Sequence, residues 1–325
     1  IQDVQLNDGK IYILGSTKED EIKSENYLLT KVNFDGEIIS QHKIESGRFD
    51  FLRSISINST GIVISGGTWN QTDEGLTDFV GFYDFEFNLI WQRQLENKWE
   101  GALTVVATEN NFVAATNDKS GIQVYRLDYD GRTLKNERIP SMNAENVFAL
   151  SESKLLLVTI TMNAKGESQN ELITLSSDFE IRNKSILPHN KEDYLKKTYY
   201  PDPILLLENE EVAAVWFGKP PLTTFSTTDD TTFQTVKHIR HDISFFDIEI
   251  FKNNSYVYSG KLGKQAAIFV IKENKIIDNM TFGDMGIWSS NELFRISETD
   301  YVLVTDKIRT NDFETSIEIV RVKIE

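Results

Sequence analysis

Short runs of alternating apolar and polar residues recur along this chain, each about one strand long and each closed by Gly, Asn, Asp or Thr. The stretch from Phe51 to Asn97 shows the unit most clearly: FLRSISINSTG, IVISGGT, a polar gap, TDFVGFYDFEFN and LIWQRQLEN. Val, Ile, Phe and Tyr alternate there with polar residues, the period of two that belongs to strands with one face more buried than the other.

One four-stranded unit of this kind cannot bury both of its faces, so copies must stack. The second strand aligns best. It begins at Ile11, Ile62, Phe112, Leu155, Val212, Tyr256 and Val302, with separations of 51, 50, 43, 57, 44 and 46 residues. That spacing is in or near the range of a four-stranded propeller blade. A short, mostly apolar first strand precedes each one, at Val4–Leu6, Leu52–Ile57, Leu103–Ala107, Val147–Leu150, Ile204–Leu207, Phe246–Ile250 and Leu293–Ile296. Seven copies predict an all-β chain, a seven-bladed β-propeller of four-stranded antiparallel blades. It fills one domain over 1–325, with approximate blades 1–46, 47–97, 98–141, 142–191, 192–241, 242–284 and 285–325. Ring closure then sets Leu6 and Phe294 in adjacent blades.

The third and fourth strands read as hairpins. Two turn at Asp35-Gly36 and Asp130-Gly131, pairs that tolerate the positive φ that twist-matched turns require. Elsewhere the turns fall at Glu86–Asn88, Asp178–Glu180, Asp229-Asp230 and Glu273–Lys275. The fifth copy is the least regular, and its third strand, near Thr223–Thr228, is expected to be short. Blade seven runs out after its third strand, TSIEIVRVKIE. The expectation is a three-stranded last blade, or one closed by a segment upstream of Ile1.

The hairpin DFVGFYDFEFNLIWQRQL resembles the third-to-fourth-strand hairpin of secreted bacterial propeller-repeat proteins, and over the same residues quinoprotein-type repeats. SGGTW at Ser65–Trp69 is similar to a kelch double glycine. The resemblance covers one hairpin per blade and implies architecture, with no specific family. Trp91 stands at the fourth-strand position in this blade alone, so the resemblance is not extended to a pyrroloquinoline quinone site. A bacterial protein of this kind is expected outside the cell, in the periplasm or at the cell surface rather than in the cytoplasm.

Composition narrows the function classes. At 325 residues the chain exceeds an ordinary single core, which repeat architectures allow because each unit packs only on its neighbours. Its 34 Lys and Arg against 50 Asp and Glu give a formal charge of −16, which repels nucleic acid and anionic membranes. No apolar run approaches the roughly 20 residues of a membrane-crossing helix. The absence of cysteine excludes disulfides, thiolate nucleophiles and Cys-based metal sites. No G-x-S-x-G, P-loop or G-x-G-x-x-G motif is present.

Candidate binding residues gather where fourth strands lead into first strands and second strands into third, two loop sets that share one face of a propeller. Large aromatics stand just ahead of the first strands: Phe51, Trp99, Tyr199, Tyr200, Phe245, Phe246 and Trp288. The second-to-third loops add Trp69 and Trp216, and Arg48 is placed to hold an anionic group. Flat apolar rings with a polar tip suit sugars and peptides; aromatics also wedge between blades as ordinary core. The ligand set is therefore Trp69, Trp99, Tyr199, Tyr200, Trp216, Trp288 and Arg48. The longest connection, Pro188 to Pro203, carries His189, Glu192 and Asp193, and the next such loop carries His238, His241 and Asp242. Imidazole and carboxylate suit Zn or Mn, which makes His189, His241 and Asp242 the metal candidates. Solvated loop residues are the default reading, and no cofactor is expected. Gly15, Gly66, Gly67 and Gly260 are expected to permit close backbone approach. The leading reading is a non-catalytic binding or scaffold propeller that presents its aromatic loop face to a glycan, peptide or protein. The rival is a carbohydrate-active lyase or hydrolase with a His/carboxylate rim site, with or without a divalent metal.

Overall fold

The computed structural model describes residues 2–18, 25–44, 50–70, 75–95, 104–118, 121–141, 143–151, 154–162, 168–186, 201–206, 211–216, 223–226, 234–235, 243–250, 255–262, 265–272, 275–283, 287–308 and 315–324. Every regular element among them is a β-strand, and the strands form seven antiparallel sheets. Sheet 1 holds β1 (Asp3–Asn7), β2 (Lys10–Lys18), β3 (Glu25–Val32) and β4 (Ile38–Ile44). Sheet 2 holds β5 (Asp50–Asn58), β6 (Gly61–Asn70), β7 (Gly75–Tyr83) and β8 (Leu89–Gln94). Sheet 3 holds β9 (Thr104–Ala107), β10 (Phe112–Asp118), β11 (Gly121–Leu127) and β12 (Thr133–Ile139). Sheet 4 holds β13 (Asn143–Ser151), β14 (Lys154–Met162), β15 (Ser168–Ser176) and β16 (Ile181–Ile186). Sheet 5 holds β17 (Pro201–Leu206), β18 (Glu211–Trp216), β19 (Thr223–Ser226) and β20 (Gln234–Thr235), its third strand short as its polar sequence predicts. Sheet 6 holds β21 (Ile243–Ile250), β22 (Ser255–Leu262), β23 (Gln265–Lys272) and β24 (Lys275–Phe282). Sheet 7 has three strands, β25 (Ile287–Arg295), β26 (Asp300–Ile308) and β27 (Thr315–Lys323). Each is a simple meander in chain order.

The chain divides into two units, one of Gln2–Asn33 and Glu37–His189, the other of Phe34–Gly36 and Asn190–Glu325. In the first unit the opening strands β1, β5, β9 and β13 lie side by side; in the second, β17, β21 and β25 do. The period-two alternation explains how the sheets stack. Successive side chains of a central strand point to opposite faces. Ile62 and Ile64 of β6 pack toward Tyr12, Leu14 and Leu29 of sheet 1, and the intervening Val63 packs toward Phe112 and Ala114 of sheet 3. Val113 and Ala115 then meet Leu155 and Leu157 of sheet 4. In the second unit Val257 of sheet 6 meets Tyr301 and Leu303 of sheet 7. This pairing corrects the sequence alignment of the last copy. Tyr301, not Val302, takes the place of Ile62, because its ring faces the preceding sheet.

The hairpin turns show how local chemistry serves these seams. Asn33, Asp84, Asp128 and Ser176 hold equivalent places. Each side-chain oxygen accepts a backbone N–H across its turn, from Glu37 at 2.9 Å, Asn88 at 2.8 Å, Arg132 at 2.7 Å and Glu180 at 3.2 Å respectively. These are the Asx- and Ser-type turns that such residues favour. A left-handed residue follows in every case: Gly36 (φ 82°), Phe87 (φ 66°), Gly131 (φ 77°) and Phe179 (φ 59°). A phenylalanine is strained there, and burial compensates. Phe87 is 3% exposed and edges against Tyr12 of sheet 1 at 6.3 Å, while Phe179, equally buried, lies under Arg126 of sheet 3 at 5.0 Å. At Gly131 the preceding sheet supplies the ring instead. A Cβ there would stand 2.9 Å from the Trp91 indole, whose Nε1–H donates to the Tyr129 carbonyl at 2.7 Å. Gly15 departs from its expectation: among the described residues an added Cβ meets nothing within 4 Å, so no close approach explains that glycine.

Candidate functional site at the loop end of sheets 1 to 4

Each sheet has one end where its first strand begins, its second strand finishes and its third begins. At this end five first strands are bulged, between Leu52 and Ser54, Ala144 and Asn146, Asp202 and Ile204, Phe245 and Asp247, and Trp288 and Ser290. A bulge inserts one unpaired residue, bends the strand and re-aims its side chains. The inserted residue in sheet 2 is Arg53, which is exposed.

A polar residue occupies one register position in all seven first strands. Counted by the second-strand residue it faces, it is Asp3, Ser54, Thr104, Asn146, Asp202, Asp247 and Glu292. At Asp3 and Ser54 the position ties one sheet to the next. Asp3 accepts from the Ile55 N–H of sheet 2 at 2.7 Å and from the Val4 N–H at 2.8 Å. The Ser54 hydroxyl in turn reaches the Val105 carbonyl of sheet 3 at 3.4 Å. Two residues on, Ser56 accepts from the Ala107 N–H at 2.9 Å, and Asn58 donates to the Thr108 carbonyl at 2.7 Å. Burial pushes the Asp3 carboxyl up to about 7, against the hydrogen bonds from Ile55, Val4 and Ser54 that favour its ionised form.

Asp78 of β7 is the most unusual group at this end. It is completely buried, one Oδ is hydrogen-bonded by the Thr116 hydroxyl of sheet 3, and the other has no partner among the described residues. Burial pushes this carboxyl, too, up to about 7, opposed by the Thr116 hydrogen bond and by the charge of Arg53. At the next seam Glu171 is 7% exposed. Its Oε2 gathers the Ser141 hydroxyl at 3.5 Å, the Thr159 hydroxyl at 3.4 Å and the Lys184 ammonium at 3.6 Å. Chemically, a fully buried carboxyl that burial pushes toward neutrality, with the Arg53 charge opposing the shift, is a perturbed acid of the kind that gathers at functional sites. A carboxylate gathered by hydroxyls and an ammonium suits structure. Among the described residues no three His, Cys, Asp or Glu side chains come together as a metal site.

Trp69 lies at the end of β6, Trp216 at the end of β18 and Trp288 near the start of β25. Phe51, Phe245 and Phe246 likewise stand inside β5 and β21. The sequence reading put Trp69 and Trp216 in second-to-third loops and Phe51, Phe245, Phe246 and Trp288 just ahead of the first strands; the strands extend further, and on β5, β21 and β25 the pairing continues past a bulge. The side chains of these six residues lie outside the described residues. So do Arg48, Trp99, Tyr199, Tyr200, His189, Glu192, Asp193, His238, His241 and Asp242 altogether. Sequence reasoning missed Asp3 and Asp78. For Asp78 a signal was present: an acid between Thr77 and Phe79 at the start of a strand otherwise patterned for burial on both faces.

No protein-family model matches the sequence, and no curated protein matches it. Solved structures do match. The chain aligns over 100% of its length with 94% of virginiamycin B lyase from Staphylococcus aureus, at 11% identity and a TM-score of 0.60. A catalytically inactive form of that lyase with quinupristin aligns at a TM-score of 0.58 and 9% identity, again over 100% of this chain and 94% of that one. A subtype N10 neuraminidase-like protein of a little yellow-shouldered bat isolate from Guatemala aligns with 84% of this chain and 95% of its own, at 8% identity and a TM-score of 0.51. The fold is that of a β-propeller. At these identities the likeness concerns the propeller fold alone, and no specific family is identified.

Proposed function

We propose that the seven sheets close into one seven-bladed ring in a protein exported by a bacterium, a binding propeller that takes a glycan, peptide or protein at its loop end. The bulges carry this reading. Five first strands kink at the same end, the device by which strands re-aim side chains beside binding sites. By sequence, Trp99, Tyr199, Tyr200 and Arg48 fall in the connections that lead into first strands, and Trp69, Trp216 and Trp288 belong to strand residues next to that end; flat aromatic rings are what sugars and peptides stack on, and Arg48 suits an anionic group. A glycan array and a peptide pull-down find the ligand. Trp99→Ala combined with Trp288→Ala is expected to weaken binding at least tenfold, the scale of an aromatic anchor. Unchanged affinity in that double variant, measured on correctly folded protein, would place the ligand on another face.

A second reading, an enzyme, is favoured by Asp78: burial pushes its carboxyl up to about 7, the range of a general acid or base, with the Thr116 hydrogen bond and the Arg53 charge opposing the shift. Two fold neighbours bear the names of a lyase and of neuraminidase-like proteins, so polysaccharides, sialosides and quinupristin form the substrate panel. Turnover that disappears in Asp78→Asn, or bound Zn or Mn that disappears in His241→Ala, would make the protein an enzyme. A metal-free protein inactive on the panel leaves the binding reading in place.

A further inference from the structure

Every large hydrophobic side chain that is exposed among the described residues stands on the outermost strand of its sheet. In sheets 1 to 4 they follow the hairpin turn at matching registers: Ile38 and Ile39, Leu89 and Ile90, Leu134, and Ile181. A single exposed isoleucine needs no explanation, but a repeated row confined to sheet edges does.

The charge of these strands is as selective. Across β4, β8, β12 and β16 there are six Lys or Arg residues and one acid, Glu137, in a chain that elsewhere carries acid in excess. The clearest case is β16, with the sequence Ile181-Arg182-Asn183-Lys184-Ser185-Ile186. It has an exposed aliphatic at either end, at 39% and 43%, two cations between them, and no acid. Among the described residues it is paired along one edge, to β15. Arg182 lies 3.0 Å from Glu180 on the surface, a kind of pair that contributes little to stability and can share its cation with an incoming carboxylate.

Unpaired edges are templates for another strand, and lysines on an edge deter pairing with a like-charged copy. Two of these outer strands set against each other would place cation against cation, which destabilises a cross-strand pair. The same charges complement an acidic strand. We propose that the outer edge of β16 docks an extended acidic peptide segment, which adds to sheet 4 as a fifth strand. Its carboxylates lie against Arg182 and Lys184, and its apolar residues against Ile181 and Ile186. Main-chain hydrogen bonds supply affinity and alternate side chains supply specificity, as in other β-strand additions. Lys184 also reaches Glu171 of the loop end at 3.6 Å and the Pro140 carbonyl at 3.4 Å, so Arg182 is the freer of the two cations; the proposal stands whether or not the loop end binds a ligand.

Fluorescence anisotropy with the labelled peptide acetyl-Thr-Val-Glu-Thr-Glu-Thr-Val-Thr-amide and the whole chain tests this. Saturable binding is expected in the micromolar range, weakening with added salt. Arg182→Glu with Lys184→Glu is expected to weaken it about tenfold or more, and replacing both peptide glutamates by lysine to abolish it. A peptide N-methylated at alternate amides, so that one edge cannot pair, should also lose binding; this arm uses only the wild-type protein and does not depend on how a variant folds. No saturation by about 1 mM would overturn the proposal. So would equal affinity for the lysine peptide, for the N-methylated peptide or by the double variant, and so would a preference for phosphatidylserine vesicles, a DNA duplex or a second copy of the chain over the peptide.

Discussion

Phe112→Ala is expected to destabilise the first unit by about 3–5 kcal/mol, the usual range for removing a fully buried aromatic. Phe112 has no exposed surface and sits at the seam between sheets 2 and 3. Its ring lies 4.8 Å from Phe82, 5.9 Å from Trp91 and 5.2 Å from Tyr129, the last edge-on at 88°. Alanine forfeits these ring contacts together with the burial, and leaves a cavity that the paired backbones of β9, β10 and β11 cannot close by relaxing. Phe112→Leu, which keeps most of the volume, should cost roughly a third as much. Urea denaturation followed by both circular dichroism and tryptophan fluorescence separates the two units if they unfold apart. A loss below about 1 kcal/mol for the alanine variant would mean that this seam is not packed as described.

Asp78 governs the second large effect, a loss of stability as pH rises toward neutrality. Its carboxyl is pushed from 3.8 to about 7 in the folded protein, first by burial. The native state therefore holds this proton more tightly than the unfolded chain does. Its stabilising contribution is complete below about pH 4, declines as pH rises to about 7, and is absent above. Across that window the decline is on the order of 4 kcal/mol, at 1.36 kcal/mol per unit. Asp3 titrates over the same range for the same leading reason. Asp84 and Asp300 act the other way. Hydrogen bonds from Asn88 and Ser297 lower their pKa, so their contribution is lost only as pH falls below the ordinary carboxylate range. Asp78→Asn removes the ionisation and keeps the shape. The variant should be more stable than wild type at pH 8, and the difference between pH 5 and pH 8 should shrink by about 3 kcal/mol. Identical pH profiles for the two proteins would show that Asp78 does not carry this proton.

The sheets were legible in the sequence because period-two alternation and Asp-Gly or Asn-rich turns are local signals. IVISGGT and its six counterparts fall on second strands, and the hairpin turns at Asp35-Gly36, Glu86–Asn88, Asp130-Gly131 and Asp178–Glu180 fall where their residues predict. The bulges were not legible: one inserted residue such as Arg53, between Leu52 and Ser54, reads in sequence as an ordinary polar position. The last sheet was read one residue out of step, because both Tyr301 and Val302 begin an acceptable alternation. Only packing on Val257 distinguishes them. Of the candidate site, the acid between Thr77 and Phe79 left a signal in the sequence, but its partner across the seam did not. Asp78 and Thr116 are 38 residues apart and meet across a seam, whose register no local pattern encodes. The αL phenylalanines escaped for a related reason. Phe87 and Phe179 stand where glycine is expected, and only the burial of their rings against a neighbouring sheet explains them.

The proposed seven-bladed ring underlies the functional reading, and the chain lends itself to a direct test because it contains no cysteine. Asp8, Ser59, Glu109 and Glu298 are all exposed, in the turns between first and second strands of sheets 1, 2, 3 and 7. Spin labels on cysteines placed there, measured in pairs by double electron–electron resonance, give the separations. Asp8 with Ser59 and Ser59 with Glu109 calibrate neighbouring sheets; Asp8 with Glu109 calibrates sheets one further apart. The ring predicts that the Asp8–Glu298 distribution overlaps those of the two neighbour pairs. A distribution centred at or beyond the Asp8–Glu109 distance would contradict it.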